Sequence, residues 1–124
     1  MKEYAAKDIR NFAIVGHGAS GKTILSESML SNGGEINRIG SIEGGSTISD
    51  YHHDEHDRQI SIHSSPLHLE WMNTKFNLID TPGYLDFIGE SISSLAVVDL
   101  AVVVVHAVNG IEVGTEQVWN YANN

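Results

Sequence analysis

Eight consecutive residues carry the strongest chemical signal in this chain: Gly16-His17-Gly18-Ala19-Ser20-Gly21-Lys22-Thr23. They fit G-x-x-x-x-G-K-[ST], the pattern of a loop that wraps a phosphate group. The reason lies in the backbone. Gly16, Gly18 and Gly21 have no Cβ, so the chain can coil tightly and turn several N–H groups onto one anion. A helix beginning near Gly21 would add its unpaired first-turn amides and positive dipole end to the same spot. Lys22 would reach the β- and γ-phosphates as a point charge, and the Thr23 hydroxyl would ligate Mg2+. The expected nucleotide-binding residues are therefore Gly16 to Thr23 inclusive.

Asp80-Thr81-Pro82-Gly83 forms a second constellation, at the end of an apolar run. Alone it reads as an ordinary turn. Downstream of a phosphate loop it has a role: Asp80 can hold Mg2+ through water, and the Gly83 amide can bond the γ-phosphate.

Those residues must be positioned by regular elements. Ile9 to Val15, with the apolar run Phe12-Ala13-Ile14-Val15, reads as a first strand. Gly21 to about Ser31 reads as a helix, with apolar residues at 24, 25, 29 and 30 on one face. The polar stretch from Asn32 to Gln59, with Gly33-Gly34, Gly40 and Gly44-Gly45, is expected to be a long functional or mobile loop. Alternation from Ile60 to Trp71 predicts a strand, and Pro66 places it at an edge or bulge. Met72 to Lys75 is the turn to a partner strand, Phe76 to Ile79, completing an antiparallel hairpin. Tyr84 to about Leu95 fits a helix. Leu100 to Val105 is apolar on both faces, the mark of an interior parallel strand. A last helix runs from Gly114 to Tyr121 with Thr115 as its cap. This order predicts a three-layer α/β domain, a mostly parallel sheet with one antiparallel hairpin and the phosphate loop at a strand's C-terminal end.

Composition narrows the function. The chain has 124 residues, enough for one domain and its core. With no cysteine, disulfides and thiolate chemistry are impossible. The opening Met1 to Asp8 lacks the apolar core of a signal peptide, and Leu95 to Val105 is too short to span a bilayer. A cytoplasmic protein without membrane contact is the expectation. Sixteen acidic residues against seven Lys and Arg leave a formal charge of −9. The few cations are scattered, so no direct nucleic-acid patch is expected.

Several motifs in order resemble one family. They are Gly-His-x-x-x-Gly-Lys-Thr from Gly16, Arg58-Gln59-Ile60-Ser61-Ile62, Asp80-Thr81-Pro82-Gly83-Tyr84-Leu85-Asp86-Phe87, and the run from Val103 to Glu116. Together they look like the translational GTPases, elongation factor G and elongation factor G-like proteins above all, over Ile9 to Ala122. The resemblance implies a GTP- and GDP-binding domain that uses Mg2+, hydrolyses GTP and works with the ribosome in the intact protein. It implies that residues 1–124 are the N-terminal portion of a G domain, truncated before its last strands. Residues 32–60 would be a switch I-like loop and residues 80–90 a switch II-like segment. Truncation would leave Leu100 to Val105 at an edge, favouring self-association, which sedimentation would detect.

Residue by residue, the resemblance makes Thr23, Ser61 and Asp80 the metal-holding set, and Lys22, Gly83 and Tyr84 the groups at the reacting phosphate. Three positions depart from the family pattern. Ser61 stands where a threonine is usual, in a segment where Gln59 replaces a glycine. Tyr84 stands where elongation factors carry the histidine that positions the attacking water, which weakens the expectation of fast hydrolysis. Ala19 and Ser20 stand where many members have an aspartate. The guanine-reading motifs lie downstream in the family, so guanine rather than adenine is inferred from kinship. The rivals are a nucleotide switch with negligible hydrolysis and a P-loop ATPase from outside the family.

Other candidates read as bland. His52-His53-Asp54-Glu55-His56 fits the zinc pattern H-x-x-E-H, but its surroundings are polar on every side. A solvated, mobile loop is the favoured reading, ahead of adventitious metal and catalytic zinc. Glu112 and Glu116 read as surface carboxylates, and His106 as a strand-end residue without a partner.

Overall fold

The computed structural model describes residues 2–124. Its centre is the strand β1 (Ile9–Gly16), whose side chains alternate between two cores. Phe12 and Ile14 face one side, with Leu30, Leu69 and Leu78; Leu25 and Met29 pack there from the helix α1 (Lys22–Gly33). Ala13 and Val15 face the other side with Val118, against Ile88 and Leu95. Those three residues come from the helices α3 (Ile88–Leu95) and α4 (Val113–Ala122). A period of two on a strand buried from both sides makes this the middle layer of three.

The remaining strands are β2 (Ser65–Trp71), β3 (Thr74–Asp80) and β4 (Leu100–Val104), in the order β2-β3-β1-β4. β1 pairs in parallel with both β3 and β4, while β2 and β3 are antiparallel. The expected sheet is therefore the observed one, and Pro66 sits on the outer strand, where its missing N–H costs no ladder bond. The hairpin turn is tighter than expected: Trp71 already pairs with Thr74. Met72 and Asn73 both take positive φ, at 47° and 59°, the twist a two-residue hairpin requires. β4 is bonded to β1 alone, and Leu100 on it is 62% exposed. It is an outer strand of this sheet, the edge position expected from the resemblance, although its apolar pattern is that of an interior strand.

Four local expectations are corrected. The strand expected from Ile60 begins at Ser65, because the amides of Ile62 and His63 donate to Glu55 and that of Ser64 to Glu90 instead of to a neighbouring strand. The loop expected from Asn32 to Gln59 contains a further helix, α2 (His53–Arg58), whose Glu55 is buried. Tyr84 lies outside its helix, since Leu85–Phe87 form a 3-10 turn before α3 begins. Thr115 is the third residue of α4 rather than its cap; its hydroxyl accepts the N–H of Glu112, the residue that caps the helix, at 3.3 Å. Among the described residues no helix is long and apolar enough to cross a membrane.

Candidate functional site

The sequence from Gly16 to Thr23 forms a bend between β1 and α1. Two glycines there are structurally required. A Cβ on Gly16 would collide with the Val104 carbonyl of β4. Gly21, with φ 98°, caps α1 in the left-handed region, which side chains other than glycine's enter at a cost. α1 then presents an unexpectedly polar buried face: Lys22, Thr23, Ser26 and Glu27 are buried with Leu30, while Ile24 is 41% exposed. A helix packed on the sheet normally buries its apolar stripe. Here one side of the helix is covered by a polar loop instead.

The buried Glu27 explains how that loop is held. Its two carboxylate oxygens accept the amides of Gly40 at 2.8 Å and Ile48 at 2.6 Å. Ser65 Oγ donates to the Ser49 carbonyl at 2.6 Å, tying the loop to β2. Ser49, Asp50 and Ser61 are thereby brought to the mouth of the phosphate loop. Ser61 Oγ stands 3.1 Å from Thr23 Oγ1.

Asp80 arrives from the end of β3. Its neighbour Thr81 donates to the Ile14 carbonyl at 2.8 Å, and Ser91 to the Pro82 carbonyl at 3.0 Å, so the turn is pinned to β1 and α3. Both Asp80 oxygens are buried with no hydrogen-bond partner among the described residues. Burial raises its pKa from the ordinary 3.8 to about 6. The Thr23 and Ser49 hydroxyls, outside direct hydrogen-bond geometry, and Lys22 hold it from going higher, while Asp50 repels it. Lys22 is buried too, which lowers its pKa to about 8 against the attraction of Asp80 and Asp50. Its Nζ donates to the His17 carbonyl at 2.8 Å, a bond that a phosphate oxygen could replace. Asp50 is likewise raised by burial and by Glu55 and Glu27, opposed by the Ser61 hydroxyl and His56.

Two unpartnered carboxylate oxygens, a second buried aspartate and two adjacent hydroxyls make an all-oxygen set with excess negative charge. That is the donor chemistry Mg2+ prefers, so the residues present fit the metal. Gly83 packs so close to the Gly18 amide and Lys22 Nζ that a Cβ would clash with both. The Tyr84 ring lies over Gly18, within about 3 Å of where a Cβ would stand. The cleft between Lys22, Thr23, Ser61 and Tyr84 measures about 110 Å³. Small-molecule sites usually span ~300–1,000 Å³, so this cleft is sized for the phosphate end of a larger ligand. Thr23, Ser61, Asp80, Lys22, Gly83 and Tyr84, grouped above by the resemblance, thus lie together around the phosphate loop.

His17 plays a part its motif does not announce. Its Nδ1 accepts the Gly114 amide at 3.1 Å, and its Nε2 lies 3.7 Å from Glu112. Glu112 is therefore a partner of the loop rather than a free surface carboxylate. His106 is not solitary either: its Nδ1 accepts the amides of Val108 and Asn109. The parts played by Glu27 and Glu55, which accept backbone amides, and by Ser49 and Asp50, which the loop carries to the site, were missed in the sequence, because contacts made by folding carry no local pattern. The one available signal was Glu27, an acid four residues after Thr23 on the same helical face.

Gln59 closes α2 in the left-handed conformation, φ 55° and ψ 38°. The glycine usual there in the translational GTPases is explained by that geometry. Gln59→Gly should stabilise the chain by about 0.5–1 kcal/mol, the left-handed strain relieved less the added unfolded-state entropy. Urea unfolding at fixed pH measures it; a less stable variant would show that the strain is absent.

Fold and cleft together define a P-loop nucleotide-binding α/β domain. Residues 7–124 match the family model described as the elongation factor Tu GTP binding domain. The ribosome-releasing factor 2, mitochondrial, of Candida dubliniensis is 44% identical over 119 residues, covering 96% of this chain and 15% of that protein. Its counterpart in Vanderwaltozyma polyspora is 44% identical over 124 residues, covering 96% and 16%. A Thermus thermophilus protein of known crystal structure superposes with a TM-score of 0.91 at 38% identity, over 93% of this chain and 17% of its own. A bacterial selenocysteine-specific elongation factor shares the fold, with a TM-score of 0.71 at 24% identity, over 92% of this chain and 17% of its own. The chain belongs to the elongation factor Tu GTP binding domain family, and it spans about 15% of the length of the curated relatives it matches.

Proposed function

We propose that this chain binds GTP and GDP with Mg2+ and hydrolyses GTP slowly, as the nucleotide-binding part of a translation factor acting on the ribosome. The observation that carries the reading is the pair of buried, unpartnered Asp80 oxygens beside Thr23, Ser61 and Lys22. Such a site is costly unless a cation enters it. Lys22 would exchange the His17 carbonyl for a phosphate oxygen, and the amides of the Gly16–Thr23 loop would donate to the same anion. Thr23 and Ser61 would hold the metal directly and Asp80 through water. The metal would supply charge neutralisation at the β- and γ-phosphates. Gly83, packed on the loop, would sense the γ-phosphate. Its loss would release residues 32–60 and 80–90 from the order in which Glu27 and Ser65 help to hold the loop.

Slow hydrolysis is favoured by Tyr84. Its ring covers Gly18, and a phenol cannot offer the neutral imidazole nitrogen that would orient a water. In single-turnover assays Tyr84→His should raise the rate about a hundredfold, the lower end of the range for a positioned acid–base group. An unchanged rate would remove Tyr84 as the limiting residue.

Relatives carrying the name ribosome-releasing factor support a ribosomal partner, and their mitochondrial designation sets an organellar location beside the cytoplasmic one. The test of the whole reading is titration with fluorescent GDP in Mg2+ buffer, competed by unlabelled GTP and ATP. Preferential competition by GTP is the expected result. Equal competition would sink guanine selectivity, and no binding would sink the site for this chain.

A further inference from the structure

The geometry points to a transition-metal site, separate from the phosphate cleft, built from His52, Asp54 and His63. The sequence pattern drew attention to His52 and His56, but the structure separates their roles. His56 Nε2 lies 2.7 Å from the Asp50 carbonyl, committed to the loop. His52 turns instead toward His63, with ring centroids 4.4 Å apart. Asp54 Oδ2 stands 3.5 Å from His63 Nε2, and one ligand atom from each of the three residues falls within 4.8 Å of the others.

Those separations suit an ion. Two donors bound at ~2.0–2.2 Å in a tetrahedron stand about 3.3–3.5 Å apart, close to the His63–Asp54 distance. Two imidazoles and one carboxylate select zinc or its neighbours cobalt, nickel and copper, not Mg2+ or Ca2+. A fourth position would be left to water.

The trio is pre-arranged by one buried acid. Glu55, 1% exposed, accepts the His52 amide on Oε2 at 3.2 Å and the His63 amide on Oε1 at 3.0 Å. It therefore grips the backbone of both histidines at once. The Glu55 amide donates to Asp54 Oδ1 at 3.1 Å, which leaves Oδ2 facing His63. Supporting bonds of this kind fix ligand orientation before the ion arrives. The simpler arrangement is an Asp–His ion pair with a stacked imidazole. It accounts for the Asp54–His63 contact, but not for one acid holding both histidine backbones so that two rings and a carboxylate converge. An ion there would join the residue before α2 to a residue just after Ser61, stapling this segment closed.

The test is calorimetric titration of zinc chloride into the full chain at pH 7.5, with no nucleotide or Mg2+ present, so the outcome is independent of the nucleotide reading. One ion per chain at micromolar affinity is expected. His63→Gln and Asp54→Asn should each weaken it tenfold or more, while His53→Ala, an exposed histidine outside the trio, should not change it. Cobalt should give the intense visible absorption of a tetrahedral site, lost in His63→Gln, with circular dichroism showing that each variant is folded. No binding at millimolar zinc would overturn the proposal. So would zinc binding that His63→Gln and Asp54→Asn leave intact, because the ion would then sit elsewhere.

Discussion

Replacing Lys22 with alanine should lower nucleotide affinity by about a thousandfold, or about 4 kcal/mol. Lys22 is 5% exposed and its pKa is lowered to about 8, so the fold already holds a cation at a cost. That cost is offset when a polyanion arrives, because the 2.8 Å bond from the Lys22 ammonium to the neutral His17 carbonyl is exchanged for one to an anionic oxygen. Truncation removes the cation and leaves Asp80 and Asp50 facing the phosphates without it. Fluorescent-GDP titration of the variant measures the loss, with thermal unfolding as the control for folding. A loss under tenfold would mean that the loop amides alone hold the phosphates.

Asp80→Asn should act in opposite directions on stability and on binding. The folded pKa of Asp80 is raised to about 6 from 3.8, so burial favours the neutral acid. The stability this group lends is fully present below pH 3.8 and is lost as pH rises through about 6. The shift corresponds to about 3 kcal/mol. Asparagine never ionises, so without Mg2+ the variant should match the parent near pH 4 and exceed it at pH 7.5. The gain should be about 3 kcal/mol, since the raised pKa already includes Asp80's attraction for Lys22. In Mg2+ buffer the same change should weaken GTP binding about a hundredfold, the scale of a supporting metal contact, with little effect in EDTA. Urea unfolding at the two pH values and GTP titration with and without Mg2+ separate the two effects. A variant less stable than the parent at pH 7.5 in EDTA would contradict the burial argument.

Much of this was legible without coordinates, and the reason is locality. The glycines of the phosphate loop, the apolar run of β1, Pro66 on an outer strand and the Asp80 turn all act within a few residues of themselves. Periodicity exposes such features, and the three-layer sheet follows from their order. The convergence of Thr23, Ser61 and Asp80 was also accessible, through the resemblance to the translational GTPases.

What only the tertiary structure decided involves groups that act across long separations. Glu27 and Glu55 look like ordinary acidic residues in polar surroundings, yet each is buried and binds amides of the stretch expected to be a free loop. Those bonds end the strand expected from Ile60 and seat Ser61 beside Thr23. They also shape the His52–Asp54–His63 trio, in which His63, distant in sequence, stands where the H-x-x-E-H spacing would have put His56. A sequence displays which residues could accept an amide or ligate an ion. Which partner each one takes depends on burial, because only there does an unmet hydrogen bond cost enough to choose the conformation.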